Sequence, residues 1–268
     1  MSYLPVFLGL TLLFLSLAVT VVFDFFGVSA LALFFIDDYP LVYYSIFSEG
    51  RTIEKLQWFF LASGALLSAL VYGSIGTSPA RSIERRAFFL FSAGFFLMFL
   101  EDWMNIRHLI SSAYMIPLFE AWLSSTQARM IWEAVFYFFL ASIMVGAFWC
   151  LLKSGSSELK PNKRLTFGFV LYGMVGFGSA FRRLFEWQER LGNTIIDSLN
   201  LKAIEAWQEA FSIYYHELEQ NPDYGFSPGY LLVDHLVEES LELIAASFLL
   251  SGLLAISLPY YRKLQSYS

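Results

Sequence analysis

The chain has 268 residues, of which 57% are hydrophobic, 19% aromatic and only 15% charged, with a mean hydropathy of +0.57. Soluble domains carry about 25% charged residues, so these proportions exclude a water-soluble monomer. A formal charge of −6 argues against a nucleic-acid partner, which needs a basic surface, and the single cysteine, Cys150, excludes an internal disulfide or a cysteine-bound cluster.

A membrane-spanning helix needs about 20 predominantly apolar residues. Six stretches meet that requirement, at residues 4–24, 56–77, 87–112, 128–152, 164–190 and 230–259. They predict an all-α, polytopic integral membrane protein of about six transmembrane helices, read as a single domain over residues 1–268. The first segment lacks a basic stretch ahead of it and is expected to be a retained helix, not a cleaved signal. Its apolar run continues past Asp24, so Phe25 to Ile36 is read as a re-entrant or interfacial piece. Between the fifth and sixth spans, Leu201, Ile204, Trp207, Phe211, Tyr214 and Leu218 recur every three or four residues. That spacing predicts an amphipathic helix within 193–229, lying on the outer membrane surface or capping the bundle.

Lysine and arginine concentrate in three regions: Arg81, Arg85 and Arg86; Lys153, Lys160, Lys163 and Arg164; and Arg262 and Lys263. By the positive-inside rule these face the cytoplasm. Both termini are then cytoplasmic in a bacterial-type inner membrane, and the acidic 191–229 loop is extracytoplasmic.

The ionisable residues of the spans are unevenly placed. Segment three carries Glu101, Asp102, Arg107 and His108 toward its outer end, and segment five carries Arg182, Arg183, Glu186, Glu189 and Arg190 after a charge-free run. Segments four and six begin with theirs: Arg129 and Glu133, then Asp234, His235, Glu238, Glu239 and Glu242. Residues three, four or seven apart share a helix face. On continuous helices Glu101, Asn105 and His108 form one stripe, Arg182, Glu186 and Glu189 another, and Arg129 pairs with Glu133. Charge inside a membrane normally faces the bundle interior or a water-filled cavity and marks function, so the expected object is a polar chamber in the outer half of the bilayer.

Nine carboxylates there face five arginines, an excess that a bound cation, protons or water must relieve. One reading is a divalent metal, iron, manganese or zinc, held by Glu101, His108, His235, Glu238, Glu239 and Glu242, with Glu133 and Glu186 as catalytic or proton-transfer groups. Such a site would act on a lipid-like or small hydrophobic substrate. A second reading is a purely structural charge network of Asp102, Arg107, Arg129, Arg182, Arg183, Glu189 and Asp234, in a non-catalytic subunit of a larger membrane complex. A third, an ion- or proton-coupled transporter, needs a path through the inner half, for which only Ser142, Ser179, Ser247 and Ser251 are available. Gly173, Gly176, Gly178 and Ala180 are expected to let helices approach closely. No nucleotide-binding, zincin or nucleophile-elbow motif is present.

Overall fold

The computed structural model describes residues 2–26, 41–48, 50–75, 81–156, 159–181, 186–220 and 227–265. Most of the expected piece at Phe25–Ile36, together with Arg182 and Arg183, lies outside them. Every regular element among the described residues is helical. The helices are α1 (Leu4–Thr20), α2 (Val42–Phe47), α3 (Thr52–Ser74), α4 (Ser82–Met104), α5 (Ile106–Ile110), α6 (Ile116–Phe119) and α7 (Ser125–Lys153). They continue with α8 (Lys163–Ala180), α9 (Trp187–Ser198), α10 (Glu205–Gln220), α11 (Pro228–Leu231) and α12 (Glu239–Gln265). Wider π-type turns extend α1 at Val21–Phe25 and join α11 to α12 at Leu232–Glu238.

Among the described residues, five helical stretches are long and apolar enough to cross a membrane: Leu4–Phe25, Val42–Ser74, Ser82–Met104, Gln127–Lys153 and Pro228–Tyr260. The remaining expected span, 164–190, fifth in chain order, is not one helix. Its helix α8 begins with Lys163 and Arg164 and ends at Ala180, and Glu186 takes a left-handed conformation (φ 48°) before α9 starts. A second break falls in the expected span 87–112. Asn105, at φ 47° and ψ 42°, separates α4 from α5. Asparagine tolerates this conformation better than most residues, and the helical-wheel argument linking Glu101 to His108 fails there for that reason.

The chain divides into two compact units. The first comprises Met1–Leu8, Leu56–Phe181 and Ile244–Ser268, and the second Gly9–Lys55 and Arg182–Leu243.

In the first unit α4 packs along α7, with Phe91 edge-on to Phe148, while Phe88 stacks on Tyr260 of α12 and Phe95 lies over Gly64 of α3; all three phenylalanines are fully buried. Gly94 permits this approach, since a Cβ there would stand 2.5 Å from the Met144 sulfur. The contact of α8 with α12 is closer still. A Cβ at Gly168 would meet the Leu249 nitrogen at 2.7 Å, and one at Gly252 the Leu165 nitrogen at 2.4 Å. Asn162 caps α8 by accepting from the Leu165 N–H and donates to the Gly252 carbonyl at 2.8 Å. The small residues expected to serve close packing thus divide. Gly176 lies under the Tyr137 ring, whereas the Gly173 position is open.

In the second unit the predicted amphipathic segment becomes two helices, α9 and α10, joined by a tight turn at Leu201–Ala203. The apolar face of α10 is used for packing. Trp207 is fully buried, donates its indole N–H to the Asp24 carbonyl at 2.9 Å and stacks on Tyr43. The Asp24 carboxylate, also buried, accepts the backbone N–H groups of Val42 and Tyr43, each at 2.7 Å. Helices α9 and α11 cross at Gly192 and Gly229 with no room for a Cβ on either.

Candidate functional site

The residues expected to line one chamber are distributed over both units. Glu101, Asp102, Arg107, His108, Arg129 and Glu133 belong to the first; Glu186, Glu189, Asp234, His235, Glu238, Glu239 and Glu242 belong to the second.

The first set is organised around one guanidinium. Because α4 stops at Asn105, the chain turns and brings Arg107 back over the last turn of α4, where its Nε lies 3.0 Å from Glu101 Oε1. One terminal nitrogen lies 3.9 Å from Glu133 Oε2 on α7 and donates to the Ser179 hydroxyl on α8 at 3.3 Å. The guanidinium also stacks over the Tyr137 ring, 5.1 Å from its centroid. Glu101, Arg107, Glu133 and Ser179 are all buried. The Trp132 indole donates to the Arg107 carbonyl at 3.1 Å and fixes the turn itself.

His108 completes this network. Its Nδ1 lies 3.4 Å from Glu133 Oε1, and its Nε2 lies 3.3 Å from the other terminal nitrogen of Arg107. Arginine can only donate, so Nε2 accepts from it, and Nδ1 is the nitrogen on the Glu133 side. Arg107 therefore covers Nε2. Proton abstraction or metal ligation by His108 requires the guanidinium to withdraw. The expected Arg129–Glu133 pair does not form among the described residues, because Glu133 is taken by Arg107 and His108.

Asp102, next to Glu101, forms a second polar contact. It accepts from the Gln57 carboxamide on α3 and from the Tyr172 hydroxyl on α8, the latter at 3.1 Å. Tyr172 and Tyr137 also line a 420 Å³ pocket between α7 and α8 that is otherwise apolar, walled by Met98, Ala141, Met144, Phe169, Gly173 and Phe177 among others. Tyr137 therefore lies between the pocket and the buried Arg107 guanidinium, and Tyr172 between the pocket and the half-buried Asp102.

In the second unit Glu186 is exposed and pairs with Arg190 at 3.7 Å, so it does not line a buried chamber. Glu189 is half-buried near Tyr214, whose phenol is pushed above its ordinary pKa by burial first and by the Glu189 charge second. His235 is buried with its ring edge against Tyr44, 5.2 Å between centroids. Asp234 and Glu238, one turn apart, both accept from the Gln188 carboxamide nitrogen, at 3.3 and 2.6 Å. Glu239 and Glu242 are half-buried at the start of α12. Among the described residues, no three His, Cys, Asp or Glu side chains gather as a metal-binding group.

Several of these participants carry no charge and escaped a reading built on charge. Tyr137, Tyr172, Gln57 and Gln188 are invisible to it. Asp24 was legible as the sole ionisable residue in the first long apolar run, which is the signal that marks an intramembrane carboxylate as significant. Of the serines considered for a proton path, two bond within their own helix and two tie separate segments together. Ser142 donates to Phe138, Ser247 to Ile244 and Ser251 to Ser2, each at a carbonyl, while Ser179 accepts from Arg107. Comparison with protein-family models, with curated proteins and with solved structures finds no match.

Proposed function

We propose that this protein is a multi-pass inner-membrane protein, with both termini cytoplasmic, that holds a lipid-like or small hydrophobic molecule in the pocket between α7 and α8. The observation that carries this reading is the junction of that pocket with the Glu101–Arg107–Glu133–His108 network through Tyr137, and with Asp102 through Tyr172. Ligand sites typically combine an apolar lining with a few fixed polar groups. The acyl or isoprenoid part of a ligand fills the aromatic pocket, and the tyrosines carry its position to the buried charges.

Gly173 provides the test, because a side chain added there meets nothing within 4 Å and grows into the pocket. Protein purified in mild detergent is examined by native mass spectrometry and its organic extract analysed for bound lipid. The wild type is expected to carry a defined hydrophobic adduct that Gly173→Leu loses. The control is Gly73→Leu, at an equally open position on α3 outside the pocket lining, which should retain it. An adduct that survives Gly173→Leu, or a wild type without one, overturns the reading.

A second reading has its own support. Arg107 reaches Glu101 on α4, Glu133 on α7 and Ser179 on α8, which is the geometry of a lock between helices. It suits a non-catalytic subunit of a membrane complex, and fixed-stoichiometry partners in a gentle purification would favour it.

A further inference from the structure

Arg129 is a cation that the first unit leaves without a counter-ion. It lies near the start of α7, within the apolar stretch Gln127–Lys153, and is half-buried with its Nε sealed. Among the described residues it has neither an ion pair nor a hydrogen bond. Glu133, one turn on, is taken by Arg107 and His108. Glu120, the one carboxylate between Arg107 and Arg129 in sequence, is exposed and makes no ion pair with it. Arginine does not lose its proton in proteins, and its planar fork of donors suits the oxygens of a carboxylate or phosphate. A charge at membrane level that the chain itself leaves unmatched calls for a partner from outside it.

The surroundings of Arg129 indicate which partner. Lys153, at the other end of α7, belongs to the basic loops that mark the cytoplasmic side, so Arg129 lies toward the opposite leaflet. The segment that leads into α7 packs against it through Ser111–Met115 and α6, and only Glu120–Ser124 separate α6 from α7. That segment carries Tyr114, Leu118 and Trp122, four residues apart and all exposed. Exposed tyrosine and tryptophan are the side chains that settle at the level of lipid headgroups. A soluble anion has no use for such a surface, whereas a phospholipid does. We propose that Arg129 binds the phosphate of a phospholipid in the outer leaflet, with the glycerol backbone and upper acyl chains lying along Tyr114, Leu118 and Trp122. The terminal guanidinium nitrogens donate to the phosphate oxygens. The pocket between α7 and α8 takes no lining residue from 99–133, so this is a second site, and it stands whether or not that pocket holds a ligand.

Native mass spectrometry of the delipidated full chain in detergent, titrated with phosphatidylglycerol, tests this beside diacylglycerol of the same chains and inorganic phosphate. Phosphatidylglycerol should bind the wild type saturably, and diacylglycerol at least about tenfold more weakly, since it lacks the charge-assisted hydrogen bonds. Arg129→Met should weaken phosphatidylglycerol binding by about tenfold or more. Lys202→Met, which removes an exposed cation paired with Asp197, should leave it unchanged. Gly173→Leu should also leave it unchanged, so that loss of this lipid and loss of a pocket ligand are read separately. Absence of saturable binding, equal binding of the two lipids, unchanged affinity in Arg129→Met, an equal loss in Lys202→Met or a loss in Gly173→Leu overturns the proposal. Displacement of phosphatidylglycerol by inorganic phosphate overturns it too, by assigning Arg129 to a soluble anion. Thermal melting in lipid-free detergent checks folding, and if Arg129→Met does not fold, Arg129→Gln decides by the same criterion.

Discussion

Replacing Arg107 by methionine separates a network that carries the fold from one that merely decorates it. The Arg107 and Glu101 side chains are each 8% exposed at a separation of 3.0 Å, and Glu133, the second carboxylate reached, is 4% exposed. Methionine matches much of the arginine stem but leaves two buried carboxylates without their shared cation. Removing one member of a buried pair typically costs about 3–5 kcal/mol, mostly the penalty of the charge left behind. For a chain of this size each kcal/mol lowers the melting temperature by about 2–4 °C, so the expected drop is roughly 6–20 °C. Apparent melting temperatures in one detergent at one scan rate are the appropriate measure, since membrane proteins commonly unfold irreversibly. Two comparisons sharpen it. Arg129→Met removes an arginine of the same region that makes no ion pair among the described residues, and should change the melt by only a degree or two. The double variant Arg107→Met with Glu101→Gln should recover part of the loss, because neutralising one stranded carboxylate removes its penalty. If Arg107→Met melts within about 2 °C of the wild type, or Arg129→Met costs as much, the network is not what holds α4, α5, α7 and α8 together.

Three further expectations follow from other parts of the molecule. A Cβ at Gly192 would sit 1.9 Å from the Gly229 carbonyl oxygen, so Gly192→Ala should reach or exceed the upper end of the 1–3 kcal/mol typical of overpacking. Gly173→Ala, at an open helical position, should instead stabilise by about 0.5–1 kcal/mol, and equal melts for the two would contradict the packing assigned to α9 and α11. Asp24→Asn exchanges a carboxylate that accepts two backbone N–H groups for an amide with one acceptor oxygen. A loss of about 1.5–3 kcal/mol is expected, with a change in tryptophan emission that is absent when the substitution is made in a Trp207→Phe background. In an alkaline difference titration of wild type against Tyr214→Phe, the Tyr214 phenolate should appear above the ordinary pKa of 10.0, and Glu189→Gln should lower it. Because the folded-state value is the raised one, its contribution to stability is complete below the ordinary phenol pKa and is lost as pH climbs through the folded value.

What was legible in the sequence and what was not divides along a physical line. Hydropathy located the apolar helices because membrane insertion depends on runs of about 20 residues, and five of the six expected spans have counterparts in helical stretches of suitable length. The exception, 164–190, shows the limit of that signal. Its first part is charge-free from Leu165 to Phe181, but the end of α8 at Ala180 and the left-handed Glu186 (φ 48°) ahead of α9 are backbone features that hydropathy does not encode. Asn105 is the more instructive case. The residues of the Arg107 network were identified by charge alone, yet their grouping was derived from an unbroken helical wheel that put His108 on the face of Glu101. The left-handed turn at Asn105 ends that wheel and builds a different contact, Arg107 onto Glu101, six residues apart in sequence. Asparagine is among the few residues that enter this conformation readily, but on an unbroken helical wheel it is only one more polar member of the stripe. The same holds for Gln188: an uncharged side chain among acidic neighbours gives no charge signal, although its carboxamide nitrogen is the donor that Asp234 and Glu238 share. Counting charges therefore found where polarity had been placed in the membrane, while the neutral amides and tyrosines determined how it was arranged.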